Sequence, residues 1–316
     1  MSTHPIHLVI KSGGRQAIPE WRTLFKELAP HVEVHDWYSE AIDKRLVKFA
    51  LVWEPEEGRL SEFPQLQAVI SSAAGVDHIL RDPHLPAQIP IIRMVTEETQ
   101  ARMAQFCAMA ALMAKNDVLR IVEQQRARQW IEFNPPYTAE ELTVGILGLG
   151  TLGSAAATLL KAIGFQVIGW SKSAKQINGV ESFSVDALPH IVRRSHILIS
   201  ILPDTAQTKG ILSPYLLNEL PKGAYIINVG RGTHLDELGL LQALDSGHLG
   251  GAILDVVDPE PLPEGSPLWR HPRILISPHT AATPSLRAKA VHAARSIAEW
   301  ERGEGFSNAY CRQRGY

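Results

Sequence analysis

The chain has 316 residues, 45% of them apolar, and sets 31 Lys+Arg against 33 Asp+Glu for a net charge of −2. That length is enough for two domains with full cores, and so even a balance excludes the broad basic surface that nucleic acid or an anionic membrane requires. Cys107 and Cys311 make neither a disulfide framework nor a metal cluster, and no apolar run approaches the roughly 18 residues of a membrane span.

Residues 1–10 lack the basic and long apolar regions of a signal peptide, so a reduced, cytoplasmic setting is expected. Residues 6–10 read as a strand, 21–28 as a helix stopped before Pro30, and 32–35, 50–53, 68–71 and 89–94 as further strands. Strands alternating with helices imply a parallel α/β layer. Lys11-Ser12-Gly13-Gly14 follows the first strand without phosphate-loop spacing and reads as a turn. The small residues Ser72 to Val76 after the fourth strand either expose backbone N–H groups to a carboxylate or make an ordinary strand-to-helix turn.

Residues 97–128 contain no Gly or Pro and are rich in good helix formers. So long a helix is expected to break in two. Met103, Cys107, Met109, Ala110 and Met113 give it an apolar face, divided between the core and a second subunit. A loop over 130–136 follows, and Thr138 with Glu141 matches a capping box.

The stretch over 144–153 organises what comes after it. An apolar strand breaks at Gly148-Leu149-Gly150-Thr151-Leu152-Gly153, which is G-x-G-x-x-G, and a helical pattern over 154–163 leads to a second apolar run over 165–170. The motif therefore sits between strand and helix in one βαβ unit, where a dinucleotide's diphosphate meets a helix N-terminus. Gly148 serves the turn, Gly150 the approach of the diphosphate, and Gly153 the contact of helix with strand. An NAD site places Asp or Glu about 20 residues beyond the first glycine. Here Ser171, Lys172, Ser173 and Lys175 follow Trp170, with no carboxylate before Glu181. That favours the 2′-phosphate of NADP(H), with NAD(H) still usable.

Further strands at 197–202, 224–229, 252–256 and 274–277 run into Pro203, Gly230-Arg231-Gly232, Asp258-Pro259-Glu260-Pro261 and Pro278-His279-Thr280. Helices are expected at 236–247 and 285–301. Ligands of an open parallel sheet bind beyond the carboxyl ends of its strands, so Arg231, Glu260 and His279 converge on one place. Arginine can grip a carboxylate by two bonds, histidine can deliver a proton near neutral pH, and a neighbouring glutamate would orient it.

In the order Val144–Gly153, Ile227–Gly232, Asp255–Pro261 and Ser277–Ala282, these motifs resemble those of the D-isomer-specific 2-hydroxyacid dehydrogenase family. The likeness covers nearly the full length and is strongest to the branch that reduces glyoxylate and hydroxypyruvate. It implies an α/β fold of two Rossmann-like domains with doubly wound parallel sheets: a substrate domain from residues 1–97 and 286–316, and a cofactor domain from 98–285. It implies NADPH-dependent reduction of small 2-keto acids. Arg231 would bind the substrate, His279 would be the acid, and Glu260 its partner. Trp53, Ala74, Gly75 and Val76 would complete the substrate contacts, the last three through backbone. Gly148, Gly150, Thr151, Leu152, Gly153, Trp170, Ser171, Lys172, Lys175, Leu202, Pro203, Thr208, Val229, Gly230 and Asp255 would line the cofactor. No metal is implied, and a homodimer is. Gly230 stands where many relatives carry Ala or Ser. Open alternatives are a D-lactate or phosphoglycerate type of the same family, against which the lack of an appended regulatory domain weighs for the larger phosphoglycerate enzymes, and a dinucleotide-sensing regulator.

Overall fold

The computed structural model describes residues 5–315; Met1 to His4, part of the stretch read for a targeting signal, and Tyr316 lie outside them. In chain order the elements are β1 (Ile6–Lys11), α1 (Ile18–Leu28), β2 (Val32–Asp36), β3 (Val47–Val52), β4 (Ala68–Ser71), α2 (Asp77–Leu80), β5 (Ile91–Ile92), α3 (Glu97–Lys115) and α4 (Val118–Arg126). There follow β6 (Thr143–Leu147), α5 (Thr151–Ala162), β7 (Gln166–Trp170), β8 (Glu181–Phe183), α6 (Leu188–Arg194) and β9 (Ile197–Ser200). The last are α7 (Pro214–Asn218), β10 (Ala224–Asn228), α8 (Glu237–Asp245), β11 (Leu249–Leu254), β12 (Ile274–Ile276) and α9 (Leu286–Glu301). They fall into two compact units, Met1–Thr99 with Pro284–Tyr316, and Gln100–Thr283.

In the first unit five parallel strands run in the order β2-β1-β3-β4-β5. Alternate residues of a strand face opposite sides. Accordingly Ile6, Leu8 and Ile10 join Trp21 and Phe25 of α1 and Ala293 and Ile297 of α9 in one core. Val9 and Ala50 join Trp37, Phe63 and Ile79 in another. The strand expected at 89–94 shrinks to Ile91–Ile92. Pro90 has no N–H to give a ladder, and the Arg93 N–H turns to the Asn308 carbonyl at 2.9 Å.

The second unit holds seven parallel strands in the order β12-β11-β10-β9-β6-β7-β8. Strand order reverses between β6 and β9, which is the switch point where such sheets bind dinucleotides. One face carries α3 and α5 through Cys107, Ala110, Ala156 and Leu160. The other carries α6, α7 and α8 through Ile191, Leu217 and Leu240. The long helical stretch does break in two. Asp117 sits at φ 49°, outside helical backbone, and its carboxylate accepts the Tyr225 hydroxyl at 2.8 Å. Among the described residues no helix is long and apolar enough to cross a membrane.

Several ends follow side-chain caps, of which the sequence named the first. Thr138 and Glu141 make the capping box, with the Thr138 N–H on Glu141 Oε2 at 2.8 Å. Asp236 accepts the Gly239 N–H ahead of α8, and Ser285 accepts the Ala288 N–H ahead of α9. Four elements had no range expected: α2, β8, α6 and α7, of four, three, seven and five residues. Pieces so short carry too few side chains for a period to show.

Candidate active site

The glycine loop lies at the carboxyl end of β6. Gly148 takes φ 106°, which L side chains rarely adopt, and a Cβ there would come 2.8 Å from the Ile201 carbonyl oxygen. At Gly153 a Cβ would come 1.8 Å from the Gly148 carbonyl oxygen, so the helix can rest on the turn only with glycine there. Gly150 differs: nothing lies within 4 Å of a Cβ built on it. That open cradle, at the head of a helix of 12 residues, fits the diphosphate of a dinucleotide. The first-turn N–H groups of Thr151 and Leu152 have no partner inside a helix and carry its positive dipole end.

Trp170 closes β7, with its indole N–H on the Val185 carbonyl at 3.0 Å. Ser171 is buried and its hydroxyl donates to the Ser173 carbonyl at 2.7 Å. The Ser171 hydroxyl is thus bonded within its own turn. Lys172, Ser173 and Lys175 are exposed. Glu181, the first carboxylate after Trp170, is bound by Arg194 at 2.7 Å, and that bond holds its carboxyl below the usual range. The end of β7 thus offers ammonium groups and no free carboxylate.

Leu202 and Val229 are buried beside the switch point. The Thr208 hydroxyl donates to the Pro203 carbonyl at 2.7 Å, so Thr208 shapes the Pro203 loop from below. Arg231 follows β10. Its backbone is held by Asn228, whose amide donates to the Arg231 carbonyl at 2.9 Å, and by His234, which accepts the Arg231 N–H at 3.3 Å. A Cβ at Gly232 would come 2.0 Å from the Val257 carbonyl carbon. Glycine is what lets the Arg231 turn touch the backbone that leads to Glu260. At Gly230 a Cβ would stand 2.9 Å from the Leu202 carbonyl oxygen and 3.0 Å from the His234 ring, so this chain has little room for a side chain there.

His279 Nδ1 lies 2.8 Å from Glu260 Oε2. Burial opposes charge on Glu260, yet the hydrogen bond and charge of His279, the Val257 N–H and the Arg231 charge outweigh it and hold the carboxyl below its usual range. His279 itself sits at φ 53°, a strained position for a side-chain-bearing residue. Asp255 fixes that turn. Its backbone carbonyl accepts the His279 N–H at 2.8 Å, while its buried carboxylate accepts the Ser277 hydroxyl at 2.6 Å and the N–H groups of Thr280 and Ala281 at 2.9 and 3.0 Å. Those bonds use about three of the four acceptor positions of a carboxylate. Burial, then the Asp255 charge, push the Cys107 thiol up to about 12, so it stays a neutral core group.

In the first unit, Ala74, Gly75 and Val76 form the turn after β4. Its carbonyls are tied back: Ala73 O accepts the Met94 N–H at 3.0 Å, Ala74 O accepts Arg93 Nε at 2.9 Å, and Gly75 O accepts the Ser71 hydroxyl at 2.8 Å. With the carbonyls turned away, the N–H groups are left for an anion. His78 braces Ser71 at 3.1 Å and accepts the Glu54 N–H at 3.1 Å, and its ring centroid lies 4.4 Å from that of Trp53. Arg93, Ser71, His78, Asn228 and His234 went unnoticed in the sequence. The one available signal was a polar residue ending an apolar strand, as Ser71 and Asn228 do.

A family model described as D-isomer specific 2-hydroxyacid dehydrogenase, NAD binding domain, matches residues 108–281. Glyoxylate/hydroxypyruvate reductase A of Salmonella paratyphi B is 39% identical over 304 residues, 94% of this chain and 96% of that protein. A D-isomer specific 2-hydroxyacid dehydrogenase from Xanthobacter autotrophicus Py2, solved with NADPH and MES, superposes with TM-score 0.93 at 36% identity, covering 99% of this chain and 100% of that one. The NADPH-dependent glyoxylate/hydroxypyruvate reductase of Sinorhizobium meliloti, solved with NADP and sulfate, gives 0.91 at 34% identity, covering 98% and 100%. With a dinucleotide cradle at the switch point and a His–Glu pair at neighbouring strand ends, the chain belongs to the D-isomer specific 2-hydroxyacid dehydrogenase family and is one of its NAD(P)-dependent enzymes.

Proposed function

We propose that this enzyme reduces small 2-keto acids, glyoxylate and hydroxypyruvate among them, to (R)-2-hydroxy acids, with NADPH preferred over NADH. Glycolate, the glyoxylate product, has no stereocentre. The observation that carries the reading is the His279–Glu260 contact of 2.8 Å, on a turn that Asp255 holds in a strained conformation. When bound, the reduced nicotinamide supplies the hydride that the carbonyl carbon accepts. His279 gives the proton to the keto oxygen and, in the reverse direction, removes it from the hydroxyl. Since Nδ1 faces Glu260, delivery falls to Nε2. Glu260 orients the ring through that contact. Arg231 grips the carboxylate and polarises the keto group; the family resemblance assigns the N–H groups of Ala74, Gly75 and Val76 to carboxylate contacts. Trp53 lines the substrate site.

Lys172 and Lys175 pair with the 2′-phosphate, which the bare carboxyl end of β7 leaves unopposed. The Salmonella and Sinorhizobium relatives are named glyoxylate/hydroxypyruvate reductases, and the Xanthobacter and Sinorhizobium structures hold NADPH and NADP, which supports the same substrates and cofactor here. A homodimer through residues 97–128 accounts for Met109, Leu112 and Ile121, which are 43%, 39% and 43% exposed although Met103, Cys107 and Ala110 of the same stretch are buried. Two free cysteines suit a cytoplasmic setting. The deciding experiment is a kcat/KM panel of 2-keto acids with NADPH and NADH. Turnover highest for glyoxylate or hydroxypyruvate with NADPH is expected. Folded protein that oxidises neither cofactor with any keto acid would sink the reading, and preference for pyruvate or for phosphorylated substrates would move it to another branch.

A further inference from the structure

A second cluster of chemistry-bearing side chains lies on the edge of the first sheet, apart from every residue given a role above. β1 and β2 are parallel with His7 beside Glu33 and Val9 beside His35. Partners across a ladder point the same way, and so do residues two apart on one strand. The pleat therefore puts His7, Glu33 and His35 on one face. There His7 Nδ1 lies 2.8 Å from His35 Nε2, and the Glu33 carboxylate lies 3.8 Å from each nitrogen through a different oxygen. One ligand atom from each residue falls within 4.8 Å of the others. The histidine side chains are only 16% and 19% exposed, while Glu33 at 55% can swing.

We propose that His7, Glu33 and His35 bind a late first-row divalent cation such as Zn²⁺. Two imidazoles and a carboxylate are the ligand types that Zn²⁺ takes, at about 2.0–2.2 Å each. Tetrahedral geometry at such lengths separates ligand atoms by about 3.3 Å. Opening the nitrogens and closing the carboxylate by about half an ångström each meets that distance, within reach of side-chain rotation. As it stands, only one proton fits between the two imidazole nitrogens; a cation takes that proton's place and adds the carboxylate. Neighbouring Asp43, though bound by Arg45, adds negative charge near His7. Elsewhere on this face the strands carry core residues such as Val9, Val47 and Ala50. Two imidazoles half-buried beside that core are costly unless satisfied. The bound cation would clamp edge strand β2 to β1.

The test is titration of the full-length protein with Co²⁺ as a visible-absorbing probe, followed by displacement with Zn²⁺, alongside Tm with and without Zn²⁺. One equivalent bound at micromolar concentration with the intense absorption of a four-coordinate site is expected, and a Zn²⁺-dependent rise in Tm. His7→Gln and His35→Gln should each weaken binding at least about tenfold and abolish the Tm shift. Glu33→Gln, at an exposed side chain, keeps the fold and should also weaken binding. Absence of saturable binding, or equal affinity in folded Glu33→Gln or in either histidine variant, would overturn the proposal.

Discussion

Two turns in this protein end a parallel strand and present backbone N–H groups, and they are built differently. The β6–α5 turn is spaced by three glycines and opens a helix of 12 residues. The β4–α2 turn has alanines at 73 and 74, one glycine, and a helix of only four residues. In the first, glycine itself does the shaping, because a Cβ at Gly148 or Gly153 would strike backbone. In the second, side chains from elsewhere pull the carbonyls aside: Ser71, Arg93 and the backbone of Met94. One device is written into local sequence. The other exists only after β4, β5 and the chain around them have come together.

The largest effect should come from neither turn but from the proposed proton donor, His279, beyond the carboxyl end of β12. His279→Ala is expected to lower kcat by roughly 10²–10⁴ with little change in NADPH affinity. Near-normal turnover in the folded variant would remove His279 from the chemistry and leave the glycine loop a binding site only. Next is Gly153→Ala, whose methyl must displace the Gly148 carbonyl. Strain of about 1–3 kcal/mol is expected, with NADPH binding weakened roughly tenfold to a hundredfold; an unchanged Kd by fluorescence titration would mean the loop yields easily.

Replacing Lys172 and Lys175 together by Ala sharpens the contrast at the other end of the cofactor. A charge-assisted hydrogen bond contributes about 1.5–3 kcal/mol, so NADPH use should fall roughly 10- to 150-fold while NADH use holds. Equal loss of both would show the lysines to be ordinary surface charges. For the β4–α2 turn, Arg93→Met removes the donor to Ala74 O. KM for the keto acid should rise about tenfold, the lower part of the range for a lost partner, and kcat should change less. If KM is unmoved, the turn does not need its anchors.

The smallest expected effect is on pH. The Glu260 pKa is depressed in the fold, so its contribution to stability is present above the ordinary glutamate range and lost as pH falls through the lowered value. Glu260→Gln should flatten the acid side of Tm against pH, whereas an identical acid limb would show that the pair adds nothing to stability.

The glycine spacing, the alternation of strands with helices, the cap at Thr138, and the polar residues after β10, β11 and β12 were all legible, because each depends on neighbours a few residues away. What lay beyond reach depends on distant ones. Pro90 and the pull of Asn308 cut β5 to two residues. Arg93 reaches Ala74 across 19 residues, and His7 meets His35 across 28. Local sequence determined the longer elements and a glycine loop shaped to fit a diphosphate, since Cβ clashes and helix termini act over a few ångströms. Only the tertiary structure decided which polar groups those loops lean on, because a hydrogen bond needs its partner within about 3 Å and sequence distance does not measure that.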